Sequence, residues 1–148
     1  MKIIQATLED LDTLTELFNL YRLFQKQESD EIGAKNYLQE RLENKEATIF
    51  IASIDDQSAG FALLYPSFTS VGMQRSWILN DLYVKESFRN QGVAHELLHE
   101  VIEFAKSTNA NGVALETCDD NYVAQRLYEK VGFKKEENLF YYLSCIES

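Results

Sequence analysis

Between Trp77 and Lys106 the sequence changes its period once, and abruptly. Trp77-Ile-Leu-Asn-Asp-Leu-Tyr-Val84 is an extended, β-rich run. From Gly92 to about Lys106, Ala94, Leu97, Leu98, Val101, Ile102 and Ala105 share one helical face. A strand that passes into a long amphipathic helix within a few residues commits the chain to layered packing, because the helical stripe must be buried on a sheet. The other segments fit that plan. Lys2 to Ala6 reads as a short strand, and Thr7 with Asp10 as a capping box opening a helix that buries Leu8, Leu11, Leu14, Leu17, Phe18 and Tyr21. A second helix is predicted from about Glu31 to Leu42. Thr48–Ile54 and Gly60–Tyr65 read as a hairpin around Asp55-Asp56-Gln57-Ser58. A polar loop, Ser67–Arg75, precedes the Trp77 strand. Gly112–Thr117 is a further strand, Tyr122–Val131 a further helix and Leu139–Ser144 a closing strand. The expected class is α/β, with a mixed, mostly antiparallel sheet flanked by helices on both faces.

No linker, repeat or low-complexity segment interrupts this order, and 148 residues suffice for one core. A single domain over 1–148 is therefore expected. The formal charge is −10, with 6 basic and 12 acidic side chains in residues 1–60 and 8 and 12 in the remainder. Nucleic acid and anionic membranes are poor partners for such a surface. A small cation would be drawn to it, although the same acidity also serves plain solubility. The opening MKIIQATLED lacks the apolar run of a signal peptide, and nothing approaches a membrane span. Cys118 and Cys145 form neither a metal-ligand pair nor a disulfide framework, so a cytoplasmic protein with free thiols is expected.

The junction Val84-Lys85-Glu86-Ser87-Phe88-Arg89-Asn90-Gln91-Gly92-Val93-Ala94 is the first candidate site. Unpaired amides and the positive dipole end of the helix suit it to a pyrophosphate, with Gly92 letting backbone approach a ligand. It lacks the Lys-Ser/Thr ending of a nucleotide P-loop. The turn is also the ordinary way to join a strand to a helix. Asn121-x-x-Ala124-x-x-x-Tyr128-x-x-x-Gly132-Phe133 is the second element. Asn121 and Gly132 read well as helix caps, but capping does not ask for Tyr128.

Together the two elements resemble the GNAT superfamily of N-acetyltransferases. Its pyrophosphate turn, Arg/Gln-x-x-Gly-x-Gly/Ala, is matched by Arg89, Gly92 and Ala94, and its later motif by Asn121, Ala124, Tyr128, Gly132 and Phe133. The resemblance covers nearly the whole chain. It implies an enzyme that transfers acetyl from acetyl-CoA to a primary amine, here a small cationic one. The main chain along Leu82, Tyr83 and Val84 would meet the acetyl and pantetheine amides. Arg89 and the amides of Asn90, Gln91, Gly92, Val93, Ala94 and His95 would hold the pyrophosphate. Asn121 would fix the pantetheine arm, Lys130 would reach a phosphate, and Tyr128 would protonate the departing thiolate.

Within the family the central strand is most similar to that of the diamine acetyltransferases, which carry Glu-Asp where this chain has Asn80-Asp81. Asn80 cannot act as a base. Asp81, Glu28, Asp30 or Asp119 takes over, or the amine arrives neutral, or the chain is an acetyl-CoA-binding module without catalysis. His95-Glu96-Leu97-Leu98-His99 matches the zinc-protease pattern, but no third histidine exists and the motif overlaps the pyrophosphate turn, so no metal is expected. Phe140-Tyr141-Tyr142 either closes the sheet or pairs with a second copy in a homodimer.

Overall fold

In the computed structural model, which describes residues 1–146, Thr7 and Asp10 close the reciprocal cap that their spacing predicts. The Thr7 amide donates to Asp10 Oδ2 at 2.9 Å, and Thr7 Oγ1 accepts from the Glu9 amide at 3.2 Å. The cap opens a 3-10 turn over Leu8–Asp10 before the α-helix α1, Leu11–Phe24, begins. Leu8 falls in that turn, ahead of the α-helical stripe that starts at Leu11, and lies exposed instead of in the core expected for it. Leu11, Leu14 and Leu17 are buried as anticipated, and Phe18 and Tyr21 half-buried. Asp30 caps the second helix, α2, Glu31–Glu43, with its Oδ1 accepting from the Gly33 amide at 2.9 Å.

Strands β1 (Lys2–Gln5), β2 (Thr48–Ile54), β3 (Gln57–Thr69), β4 (Gln74–Val84) and β5 (Val113–Ala114) form one sheet in that spatial order. The first four pair antiparallel and β5 joins parallel to β4, as the mixed, mostly antiparallel expectation requires. Asp55 and Asp56 both adopt positive φ, giving β2 and β3 a two-residue hairpin turn. Ser67–Arg75, expected as a loop, is mostly strand: β3 and β4 stay in register out to Thr69 opposite Gln74. Polar side chains do not oppose a main-chain ladder, and Arg75 stacks its guanidinium over Phe68 and Trp77. The strand expected over Gly112–Thr117 shrinks to Val113–Ala114, facing Trp77 and Ile78.

One face of the sheet carries α1 and α2, whose Leu14, Leu17 and Leu38 pack with Ile49, Ile51, Phe61 and Leu63. The other carries the helix α3, Val93–Ser107, where the Phe104 ring meets Phe50 and Trp77 at 5.5 and 5.0 Å. Leu17 is fully enclosed. Leu17→Ala is expected to cost roughly 2–5 kcal/mol of stability, from lost transfer energy and the cavity left behind. Urea unfolding followed by circular dichroism checks this. An unchanged midpoint would contradict the core as described.

These elements form a unit ending at Glu116, and a second compact unit begins at Thr117. The second unit is built on helix α4, Tyr122–Val131, with Asn121 as its N-cap and Gly132, at φ +112°, as its left-handed stop. The closing strand expected at Leu139–Ser144 does not form. Strand propensity acts only where an edge offers a ladder. Among the described residues this run has none, and Phe140, Tyr141 and Tyr142 lie exposed. Residues 147 and 148 of the expected 1–148 domain fall outside the described residues.

Candidate active site

Strand β4 carries an irregularity. Leu63 faces Asp81 and Leu64 faces Leu79, so Asn80 has no partner on β3 and forms a β-bulge. Beyond the bulge, the Lys85 amide donates to the Ala59 carbonyl at 2.8 Å. Val84 and Gly60 are therefore a non-hydrogen-bonded pair, and by alternation so are Leu82 and Ala62. The N–H and C=O groups of Leu82 and Val84 thus point away from β3. On that side β5 reaches only Trp77 and Ile78, which leaves the Leu82–Val84 stretch an open polar edge. Tyr83 differs. Its main chain is turned into the ladder with Phe61, and its ring packs edge-on against Tyr21 and tilted against Phe24 and Phe61.

A 3-10 turn, Glu86–Phe88, leads from this edge to α3. Asn90 and Gly92 sit in the left-handed region, at φ +63° and +80°. The first helical donation is from the Glu96 amide to the Gly92 carbonyl at 3.0 Å. Among the described residues no protein acceptor meets the amides from Asn90 to His95. A Cβ on Gly92 would meet nothing within 4 Å, so the cradle is open above the glycine. Free amides, a helix N-terminus and open space together fit an anionic diphosphate. Arg89 lies exposed over the Phe24 and Tyr83 rings, and its Nε donates to the Val84 carbonyl at 3.1 Å. This bond engages one of the groups expected to receive the pantetheine, although a carbonyl keeps a second lone pair.

Beside the open edge, Asp81 is the only buried acidic side chain among the described residues. Its Oδ1 accepts from Asn80 Nδ2 at 3.2 Å, and the Tyr21 hydroxyl also donates to it. Burial pushes its carboxyl above the ordinary range, against the downward pull of those two hydrogen bonds. On the same face of the sheet the hydroxyls of Tyr37 and Tyr65 hydrogen-bond, and burial followed by that bond raises the Tyr65 phenol. Arg41 lies over the Tyr37 ring at 4.8 Å. The grouping of Tyr65 and Tyr37 with Asp81 has no signature in the sequence, because it depends on the strand register and on helix packing. The competing acids are exposed, and Asp30 is engaged as a helix cap.

In the second unit, Asn121 Oδ1 accepts from the Ala124 amide at 3.2 Å, which is the capping role. Gln125 ties the preceding loop by donating to the carbonyls of Cys118 and Asp119 at 3.0 and 3.1 Å. Tyr128 is half-buried, its ring 6.0 Å from that of Phe133, and burial pushes its phenol up. Lys130 is exposed in the last turn of α4. His95 and His99 stand one turn apart on α3. Among the described residues no group of three or more His, Cys, Asp or Glu side chains is placed to hold a metal. Among the described residues no helix is long and apolar enough to cross a membrane.

Residues 11–133 match the family model described as acetyltransferase (GNAT) family. The chain is 39% identical over 142 residues to the uncharacterized N-acetyltransferase YhfO of Bacillus subtilis, covering 96% of this chain and 95% of that one. It is 27% identical over 133 residues to the thialysine N-ε-acetyltransferase of Caenorhabditis elegans, with 89% and 82% covered. The crystal structure of a probable acetyltransferase superposes with a TM-score of 0.92 at 41% identity, covering 100% of this chain and 99% of that one.

Proposed function

The chain belongs to the acetyltransferase (GNAT) family, and from that premise we propose that it acetylates a primary amine on a small cationic molecule. Acetyl-CoA is the donor, as in the family at large, and supplies an acetyl group activated as a thioester. The observation that carries the reading is the open Leu82–Val84 edge running into the unbonded amides of Asn90–His95. An edge of alternating N–H and C=O groups suits the amides of a pantetheine arm. The start of α3, with Gly92 holding its backbone bare, suits a pyrophosphate. Arg89 adds the cation of that turn, and Asn121 and Lys130 are assigned to the arm and a phosphate by their positions in the family motif.

The chemistry asks two things of the protein. An alkylamine near pKa ~10.4 must be presented neutral, and the departing thiolate must be protonated. We assign the second task to Tyr128. Burial raises its phenol, so it keeps its proton at neutral pH and has one to give. The net charge of −10 favours a cationic acceptor, and the thialysine enzyme's name places its acetyl group on a terminal amine. A diamine-like acceptor is the narrower form of the reading. We read both units as one catalytic domain, a view supported by a family match that continues through Thr117. A cytoplasmic location accords with the exposed free thiols Cys118 and Cys145.

The test is thiol release from acetyl-CoA with thialysine, lysine, diamines and lysine peptides, with products identified by mass spectrometry. Acetylated free amines are the expected result. Acetylation confined to peptides would overturn the small-molecule reading. EDTA is expected to leave turnover unchanged, whereas a loss reversed by zinc would return attention to His95 and His99.

A further inference from the structure

We propose that Asp81 receives the proton of the acceptor amine through the Tyr21 hydroxyl that already donates to it. This assignment rests on the transferase reading above and deepens it. A charged side chain on this face of the sheet is costly. Asp81 stands opposite Leu63 in the ladder, in the same face as Phe61 and Tyr83, a position that an aliphatic residue would fill without penalty. None of the ion pairs of the described residues includes it. A buried carboxylate held by two neutral donors and no cation is costly to the fold, which makes it a functional-site candidate. It also lies one residue before Leu82, where the open edge begins.

The proton path balances. The ammonium passes a proton to the Tyr21 oxygen as the Tyr21 proton moves to Asp81, leaving a neutral amine, a neutral phenol and a carboxylic acid. The amine nitrogen then bonds to the acetyl carbon and the carbon–sulfur bond breaks. The thiolate takes the Tyr128 proton, the new amide nitrogen returns one through solvent, and Asp81 releases its own to water. Acting through Tyr21, Asp81 is a positioning and proton-accepting residue. The ionisable groups around it are Tyr21 from α1, Tyr83 on its own strand and Tyr65 from β3, with Tyr37 and Arg41 of α2 behind Tyr65. Asp81 is the only carboxyl in this set.

The test compares Asp81→Asn and Tyr21→Phe with the parent, in kcat/KM against pH and in acetyl-CoA affinity. The parent is expected to lose activity in acid along one limb. Asp81→Asn should lower kcat roughly 10²-fold and abolish that limb, with acetyl-CoA affinity unchanged. Tyr21→Phe should lower kcat and move the limb to higher pH, because a hydrogen bond favouring the carboxylate is gone. A separate readout needs no turnover. The folded pKa of Asp81 is raised, so its charge destabilises the fold at neutral pH, and that cost fades as pH falls through the raised value. Asp81→Asn should therefore melt higher than the parent at pH 7 and equally in acid. Retained kcat in Asp81→Asn, an unchanged acid limb, or a limb lost instead in Glu28→Gln, Asp30→Asn or Asp119→Asn would overturn the assignment. If the parent binds acetyl-CoA yet acetylates no amine, the acceptor reading fails and this assignment with it.

Discussion

Tyr128→Phe is expected to lower kcat by roughly 10²- to 10⁴-fold, the range a positioned general acid contributes. Acetyl-CoA affinity and the melting midpoint should stay near the parent values, since the substitution removes one hydroxyl and keeps the ring against Phe133. The leaving thiol, near pKa ~8.5 if it behaves like cysteine, is a stronger acid than a phenol near ~10. In the role proposed for it, Tyr128 would give a hydrogen bond and then a proton as the carbon–sulfur bond opens, and would recover the proton readily. The pH dependence follows in sign. In that role activity would require the protonated phenol, and burial raises its pKa, so a basic limb of kcat belonging to Tyr128 should lie above the ordinary tyrosine value and vanish in Tyr128→Phe. Unchanged turnover would assign the proton to water and leave Tyr128 a packing residue.

Gly92→Asp is expected to weaken acetyl-CoA binding roughly 10²- to 10³-fold, since juxtaposing like charges costs several kcal/mol. The change strains the backbone at a positive φ but meets no steric clash. Gly92 lies at φ +80° with nothing within 4 Å of where a Cβ would stand, and Asp adopts the left-handed region more readily than most residues. The new carboxylate would stand beside the unbonded amides at the start of α3, where the pyrophosphate is assigned. Gly92→Asn separates charge from backbone strain, because it makes the same conformational demand without the charge and should cost much less. Added salt should recover part of the loss in Gly92→Asp only. Equal losses in both variants would point to backbone strain, not to an anion beside residue 92.

The junction from β4 to α3 was legible because two periodicities meet there. Strand β4 ends at Val84, where the β-rich run of the sequence also ends, and α3 starts one residue after Gly92. The caps at Thr7, Asn121 and Gly132 were legible for a similar reason, since each depends on chemistry within four residues. What depends on a partner was not. The bulge at Asn80 exists only relative to β3, so neither it nor the open edge beyond it has a local signature. The polar residues from Ser67 to Arg75 suggested a loop, while the ladder they join runs through the main chain. Leu139–Ser144 has the composition of a strand, but composition does not supply an edge. Asp81 was one acid among several in the sequence. Its isolation on the α1 and α2 face follows from the register with Leu63 and from Tyr21 arriving on α1.

Donor binding is measured by calorimetric titration of the purified protein with acetyl-CoA, in EDTA and at moderate salt, alongside Gly92→Asp. One site per chain with micromolar affinity is expected in the parent, and little heat from the folded variant. Absence of binding to a folded parent, or equal binding by Gly92→Asp, would contradict the placement of the donor at the β4 edge and the start of α3.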